Sequence, residues 1–123
     1  SMLTMIRTID LEPVEKRKIL VLGDMLELGT SSRQLHEDLA LPIQKSTVTH
    51  VFTTGKNMEY LNSVLPSHIQ KTHTINSSEL ATILVKFVRP GDVIAIKGSA
   101  RSKMSYVVEA LSQIQNQLFN LSR

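Results

Sequence analysis

The chain contains no cysteine and no tryptophan in 123 residues. The missing cysteine excludes a disulfide framework and cysteine-ligated zinc, and it suits a reducing cytosol. Two Tyr and three Phe are too few to lay out a stacking surface for single-stranded nucleic acid, so no nucleic-acid partner is expected. No apolar run approaches the ~20 residues that span a bilayer. The start has no basic segment followed by an apolar core and a small-residue cleavage site. No membrane partner is therefore expected, and the expected location is the cytoplasm. Four histidines, His36, His50, His68 and His73, make no His-x-x-x-His pair, so no metal site is expected. Phosphate loops are missing too. Gly55-Lys56 invites that reading, but the pattern needs glycine where His50 stands and Ser or Thr where Asn57 stands.

What remains is a chain the size of one ordinary domain, residues 1–123, able to bury roughly two thirds of its unfolded surface in a single core. Its formal net charge of +3 mildly favours anionic partners. The spacing of Met2, Met5, Ile6 and Ile9 predicts a short amphipathic helix, followed by a charged connector over 10–18. Lys18 to Leu22 reads as a continuous apolar strand of the kind buried in a parallel sheet. A helix follows with Leu35, Leu39 and Ile43 on its inner side, kinked or ended near Pro42. Thr49 to Thr54 reads as a second strand and Met58 to Leu65 as a short helix stopped by Pro66. Lys71 to Ile75 reads as a weaker third strand. Ser77 is the expected cap of a helix whose stripe is Leu80, Ala81, Leu84, Val85 and Val88, with Glu79 in the first turn. Val93 to Ile96 reads as a fourth buried strand after a turn at 89–92. Met104, Val107, Val108, Leu111, Ile114 and Leu118 define the last helix. Regular alternation with right-handed crossovers predicts an α/β, three-layer Rossmann-like domain: a mostly parallel sheet with helices on both faces.

Two strand ends carry the chemistry. Ile19-Leu20-Val21-Leu22 runs into Gly23-Asp24-Met25-Leu26-Glu27-Leu28-Gly29, and Val93-Ile94-Ala95-Ile96 runs into Lys97-Gly98-Ser99. Ligands of open parallel sheets bind outside the carboxyl ends of the strands. Asp24 and Glu27 suit a substrate ammonium or ribose hydroxyls, or equally the capping of a turn. Gly23 and Gly29 are read as conformations that glycine adopts cheaply. Lys97, Gly98, Ser99 and the following amides suit a carboxylate or phosphate, with Arg101 and Lys103 adding charge. The alternative is a lysine that reaches solvent and a serine that caps a helix. His36, one position off an apolar stripe, reads as a partly buried, hydrogen-bonded residue. The residues alone thus point to a small α/β domain that binds a small charged ligand at its strand ends, one alternative being a stand-alone module for a small anion or nucleotide.

The string Leu22-Gly23-Asp24-Met25-Leu26-Glu27-Leu28-Gly29, with Ser32 and His36, is similar to the opening signature of the C-terminal domain of the Mur ligase family. Gly91-Asp92, Lys97-Gly98-Ser99, Lys103-Met104 and the run from Val107 to Leu111 match its second half, and Val51 to Gly55 its middle strand. The resemblance runs from about Lys18 to Leu111. It implies the branch of the family that joins D-alanyl-D-alanine to UDP-N-acetylmuramoyl-tripeptide. ATP would phosphorylate the tripeptide carboxylate, and the dipeptide amine would attack the acyl phosphate. ATP and Mg2+ would be held mainly by a central domain, and the nucleotide sugar by an N-terminal one, neither of which is in this chain. The fragment alone would be inactive and would have no catalytic residue. The resemblance further implies that Asp24, Met25, Glu27, Lys97, Gly98, Ser99, Arg101 and Lys103 line the dipeptide side. Lys97 and Ser99 would take its carboxylate, and Asp24 or Glu27 its amine. Where the family commonly carries Arg or Asn after Lys-Gly-Ser, this chain has Ala100, and Arg101 follows.

Overall fold

The computed structural model describes residues 1–25 and 31–121, with side chains through residue 115. The order is α1 (Met2–Asp10), β1 (Lys18–Gly23), α2 (Ser32–Glu37), α3 (Ala40–Lys45), β2 (His50–Thr54), α4 (Met58–Val64), β3 (Gln70–Thr74), α5 (Ser77–Phe87), β4 (Val93–Lys97), a 3-10 turn (Ala100–Ser102) and α6 (Met104–Leu121). Among the described residues the strands form one parallel sheet in the order β3-β2-β1-β4. The expected three-layer α/β architecture is what forms.

The alternation of side chains along β1 builds the layers. Leu20 and Leu22 point to one face, where Ile6 and Ile9 of α1, Ile43 of α3 and Leu61 of α4 meet them. Ile19 and Val21 point to the other, against Leu80 and Leu84 of α5 and Met104 and Val107 of α6. Covered on both faces and flanked on both edges, β1 is buried along its whole length. That includes Lys18, whose ammonium donates to Thr47 Oγ1 at 2.5 Å and to the Asp10 carbonyl at 3.3 Å. This carbonyl lies at the C-terminal end of α1, where the helix dipole favours a cation.

Several details differ from the sequence-based expectation. Val93 to Ile96 does not form a strand buried like β1: β4 is an edge strand, half-buried from Val93 to Ile96 and exposed at Lys97. The expected single helix around Leu35 to Ile43 is two, broken at Asp38-Leu39. A continuous helix would press the Pro42 ring onto the Asp38 carbonyl. After the break Pro42 sits in the first turn of α3, where its missing N–H has no partner to lose. The break leaves Leu39 and Ile43 buried but turns Leu35 outward, 37% exposed, and buries His36 instead. Val108 is likewise exposed, off the inner stripe of α6. The cap of α5 is Asn76 rather than Ser77. Its side chain accepts the Glu79 N–H at 2.9 Å, while Glu79 Oε2 accepts the Ile75 N–H at 3.0 Å.

Candidate functional site at the strand ends

The chain winds from β1 through β2 to β3 on one side of β1, then returns by α5 to place β4 on the other side. The reversal lies between β1 and β4, and the carboxyl ends at such a reversal are the usual ligand position in open parallel sheets. A cleft of about 530 Å³ opens at this end, with Asp24 and Met25 after β1 and Ser99, Arg101, Ser102 and Lys103 after β4. It continues over Thr54, Gly55 and Asn57 after β2 and Ile75, Asn76 and Ser77 after β3.

The acidic strand end is occupied by the fold itself. The Asp24 carboxylate accepts the backbone N–H of Met58 at 2.8 Å and of Asn57 at 3.1 Å. It therefore caps α4 from across the sheet, where a negative charge meets the positive end of the helix. Gly55 makes this possible. Its φ is +108°, and a Cβ there would fall on the Asp24 carboxylate. Asp24's own carbonyl accepts the Ser99 N–H at 2.9 Å, which ties the two loops together.

His36 secures the next residue. It is fully buried, and its Nε2 accepts the Met25 N–H at 3.1 Å. An acceptor at Nε2 requires the proton on Nδ1, which donates to the Ser32 carbonyl at 2.5 Å. The ring is thus a neutral bracket between β1's exit and the first turn of α2. It is more deeply buried than its position beside the apolar stripe suggests.

The basic strand end is organised by packing. Gly23 and Gly98 sit side by side under Ser102. A Cβ on Gly23 would lie 2.5 Å from that side chain, and one on Gly98 would lie 3.0 Å from the Gly23 Cα. Gly23's φ is not positive, so the expectation that glycine is needed there for conformation is corrected: contact requires it. Ser102 Oγ donates to the Ser99 carbonyl at 2.6 Å, closing the turn. Lys103 has φ 56° and ψ 42°, the left-handed region. Its N–H donates to the Ala100 carbonyl at 3.2 Å and its carbonyl accepts the Tyr106 N–H at 3.1 Å, which hold it there. A side chain in that region at a cleft wall is the kind of strain that sites store. Ser99 makes no side-chain cap bond.

Of the residues singled out in the sequence, Asp24, Met25, Ser99, Arg101 and Lys103 reach this cleft. Lys97 is exposed at the end of β4 and Gly98 lies beneath Ser102, and neither is among the lining residues. Glu27 and Gly29 lie outside the described residues. Thr54, Gly55, Asn57, Ile75, Asn76 and Ser77 were not anticipated. Applying the strand-end rule to the second and third strands as well would have found them. Among the described residues no three of His, Asp or Glu converge on one point. Asp24, the described carboxylate of the cleft, is engaged with amides, so these residues do not fit a magnesium site. Nor is there a helix long and apolar enough to cross a membrane among them.

The family described as Mur ligase, glutamate ligase domain, matches residues 1–100. The chain belongs to the Mur ligase family. It is 35% identical over 92 residues to the UDP-N-acetylmuramoyl-tripeptide–D-alanyl-D-alanine ligase of Rickettsia prowazekii, covering 75% of this chain and 20% of that protein. It is 31% identical over 98 residues to the ligase of the same name from Bacillus subtilis, covering 77% of this chain and 21% of the relative. The chain thus spans about a fifth of the length of these relatives. The MurF ligase of Thermotoga maritima, solved in complex with ADP, shares the fold of this Mur ligase domain. Its TM-score is 0.71 at 24% identity, over 89% of this chain and 24% of that one.

Proposed function

We propose that this Mur ligase domain is the C-terminal, substrate-positioning part of the ligase that joins D-alanyl-D-alanine to UDP-N-acetylmuramoyl-tripeptide in peptidoglycan precursor synthesis. The observation that carries the reading is the cleft at the β1/β4 reversal in a chain 35% identical to a ligase of that name. The work of this chain is to hold the incoming dipeptide. Arg101, Lys103 and Ser99 meet its carboxylate by charge and hydrogen bonding. The Ala100 substitution leaves Arg101 as the guanidinium of the turn. Asp24 contributes by fixing the wall through α4, since its oxygens already accept two amides. Met25, held by His36, offers an apolar surface at the loop exit.

ATP supplies the phosphoryl group that activates the tripeptide carboxylate, and it acts with N-terminal and central domains outside this chain. No described residue of this chain takes part in that transfer. Holding the amine beside the activated carboxylate removes translational and rotational freedom that would otherwise slow the attack. Closing the cleft against a second domain keeps water from competing for it. The nitrogen forms the amide bond as phosphate leaves.

An amide NMR titration of the chain with D-alanyl-D-alanine, against L-alanyl-L-alanine, tests the reading. Selective shifts at Met25, Ser99, Arg101 and Lys103 are expected with the D-dipeptide. Equal responses to both dipeptides, or shifts confined to the opposite end of the sheet, would overturn it.

A further inference from the structure

We infer that the cleft holds a second, uncharged subsite over the ends of β2 and β3, with Ile75 as its apolar wall. It takes the last residue of the tripeptide while the dipeptide occupies the basic end. The first ground is length. Neighbouring strands lie about 4.8 Å apart, so a cleft that runs from the β4 loop to the end of β3 crosses three strand gaps, about 14 Å. An extended dipeptide reaches only about 7 Å. With its carboxylate at Arg101 and Lys103, its amine stops about half-way across. The remaining half lies where the group joined to that amine must continue.

The second ground is Ile75. Asn76 caps α5 by accepting the Glu79 N–H, and Glu79 reaches back to accept the Ile75 N–H. In helix starts of this kind the residue before the cap often packs on the residue four positions after the cap. Here these are Ile75 and Leu80. Leu80 is fully buried in the core, whereas Ile75 is 84% exposed and lines the cleft. The staple is therefore not made. The Glu79 bond fixes the Ile75 backbone at the rim, and the side chain offers uncovered aliphatic surface to the cleft. The polar groups beside it are neutral. None of the described lining residues after β2 and β3 is charged. Asn57 stands at the start of α4 with no side-chain cap bond, which leaves its amide open to a peptide group. An aliphatic wall with an amide beside it fits a residue inside a peptide chain. A charged terminus would lose its hydration there with no counter-charge to replace it.

This subsite rests on the proposed function for the identity of the two substrates, but its length and neutrality stand on the cleft itself. The test is a titration of the 15N-labelled chain with D-alanyl-D-alanine, N-acetyl-glycyl-D-alanyl-D-alanine and N-acetyl-L-leucyl-D-alanyl-D-alanine, repeated on Ile75→Ser and Ile75→Leu. The Ile75 and Asn57 amides should shift with the leucyl peptide and stay unmoved with the dipeptide. The leucyl peptide should bind about tenfold more tightly than the glycyl one, as expected for covering an aliphatic side chain. Ile75→Ser should abolish that preference without changing dipeptide binding, and Ile75→Leu should keep it. Shifts at Ser99 and Arg101 with Ile75 silent, a preference that survives Ile75→Ser, or equal weakening of all three ligands in that variant would remove the subsite and leave the proposed function standing. So would a response of Ile75 to the dipeptide itself, since the dipeptide would then fill the cleft alone. Silence throughout the cleft would remove both.

Discussion

Replacing Asp24 separates two roles that a carboxylate at a strand end can have. The structure gives it two backbone amides at the start of α4, at 2.8 and 3.1 Å. Losing a helix cap costs about 1 kcal/mol and up to ~2. Charge-assisted bonds run roughly twice the strength of neutral ones, and Asp24 is only half-buried. Asp24→Ala should therefore destabilise the domain by about 2 kcal/mol. With a urea slope near ~1.5 kcal/mol/M for a domain of this size, the unfolding midpoint should fall by about 1 M or slightly more. Asp24→Asn keeps one acceptor oxygen but sets its amide N–H groups against those of Asn57 and Met58, so it should fall between the two. The assay is equilibrium urea unfolding followed by circular dichroism, with dipeptide binding measured on the same samples. An unchanged midpoint in Asp24→Ala, together with loss of dipeptide binding, would refute the capping role. It would return Asp24 to the ligand.

Three further outcomes follow from the same contacts. His36→Ala empties a fully buried site and strands the Met25 amide, so a loss of about 2–4 kcal/mol is expected by urea unfolding, with broadened Met25 resonances. At the other end of the sheet the Arg17 guanidinium, 2.6 Å from Asp92, holds the Asp92 carboxyl below its ordinary value. The unfolded chain then binds more protons in acid, so this stability is present above the ordinary value of 3.8 and is lost as the pH falls below it through the lowered folded value. Asp92→Asn should flatten the stability profile between about pH 5 and pH 2. An equally steep profile in the variant would assign the acid sensitivity elsewhere. The chain alone, given ATP and D-alanyl-D-alanine, should release no ADP, and turnover by the purified chain would contradict its assignment as a positioning domain.

The layers were legible because β1 combines a continuous apolar run with alternating faces: Ile19 and Val21 on one side, Leu20 and Leu22 on the other. The edge position of β4 was not. Val93 to Ile96 is as continuously apolar as Ile19 to Leu22, and strand order depends on which way the α5 crossover returns rather than on the strand's own residues. His36 and Leu35 exchanged places because one turn between α2 and α3 rotates the helix face, and that turn follows from the clash of Pro42 with the Asp38 carbonyl. Gly23 was identified as special for the wrong reason, since its neighbour Ser102 is 79 positions away and only the sheet brings them together. The two loops that meet at the cleft carried visible charge, so they stood out. The α5 wall did not, because Asn76 and Ser77 look like an ordinary helix cap until the fold shows which of them does the capping.

If this Mur ligase domain holds the dipeptide rather than the nucleotide, as proposed, the effect of losing Arg101 falls on the dipeptide alone. Steady-state kinetics of Arg101→Ala, introduced into the ligase together with its N-terminal and central domains, measures this. The KM for D-alanyl-D-alanine should rise about tenfold or more, the loss of a hydrogen bond to a charged group, with the KM for ATP unchanged. A raised KM for ATP with the dipeptide KM untouched would contradict it.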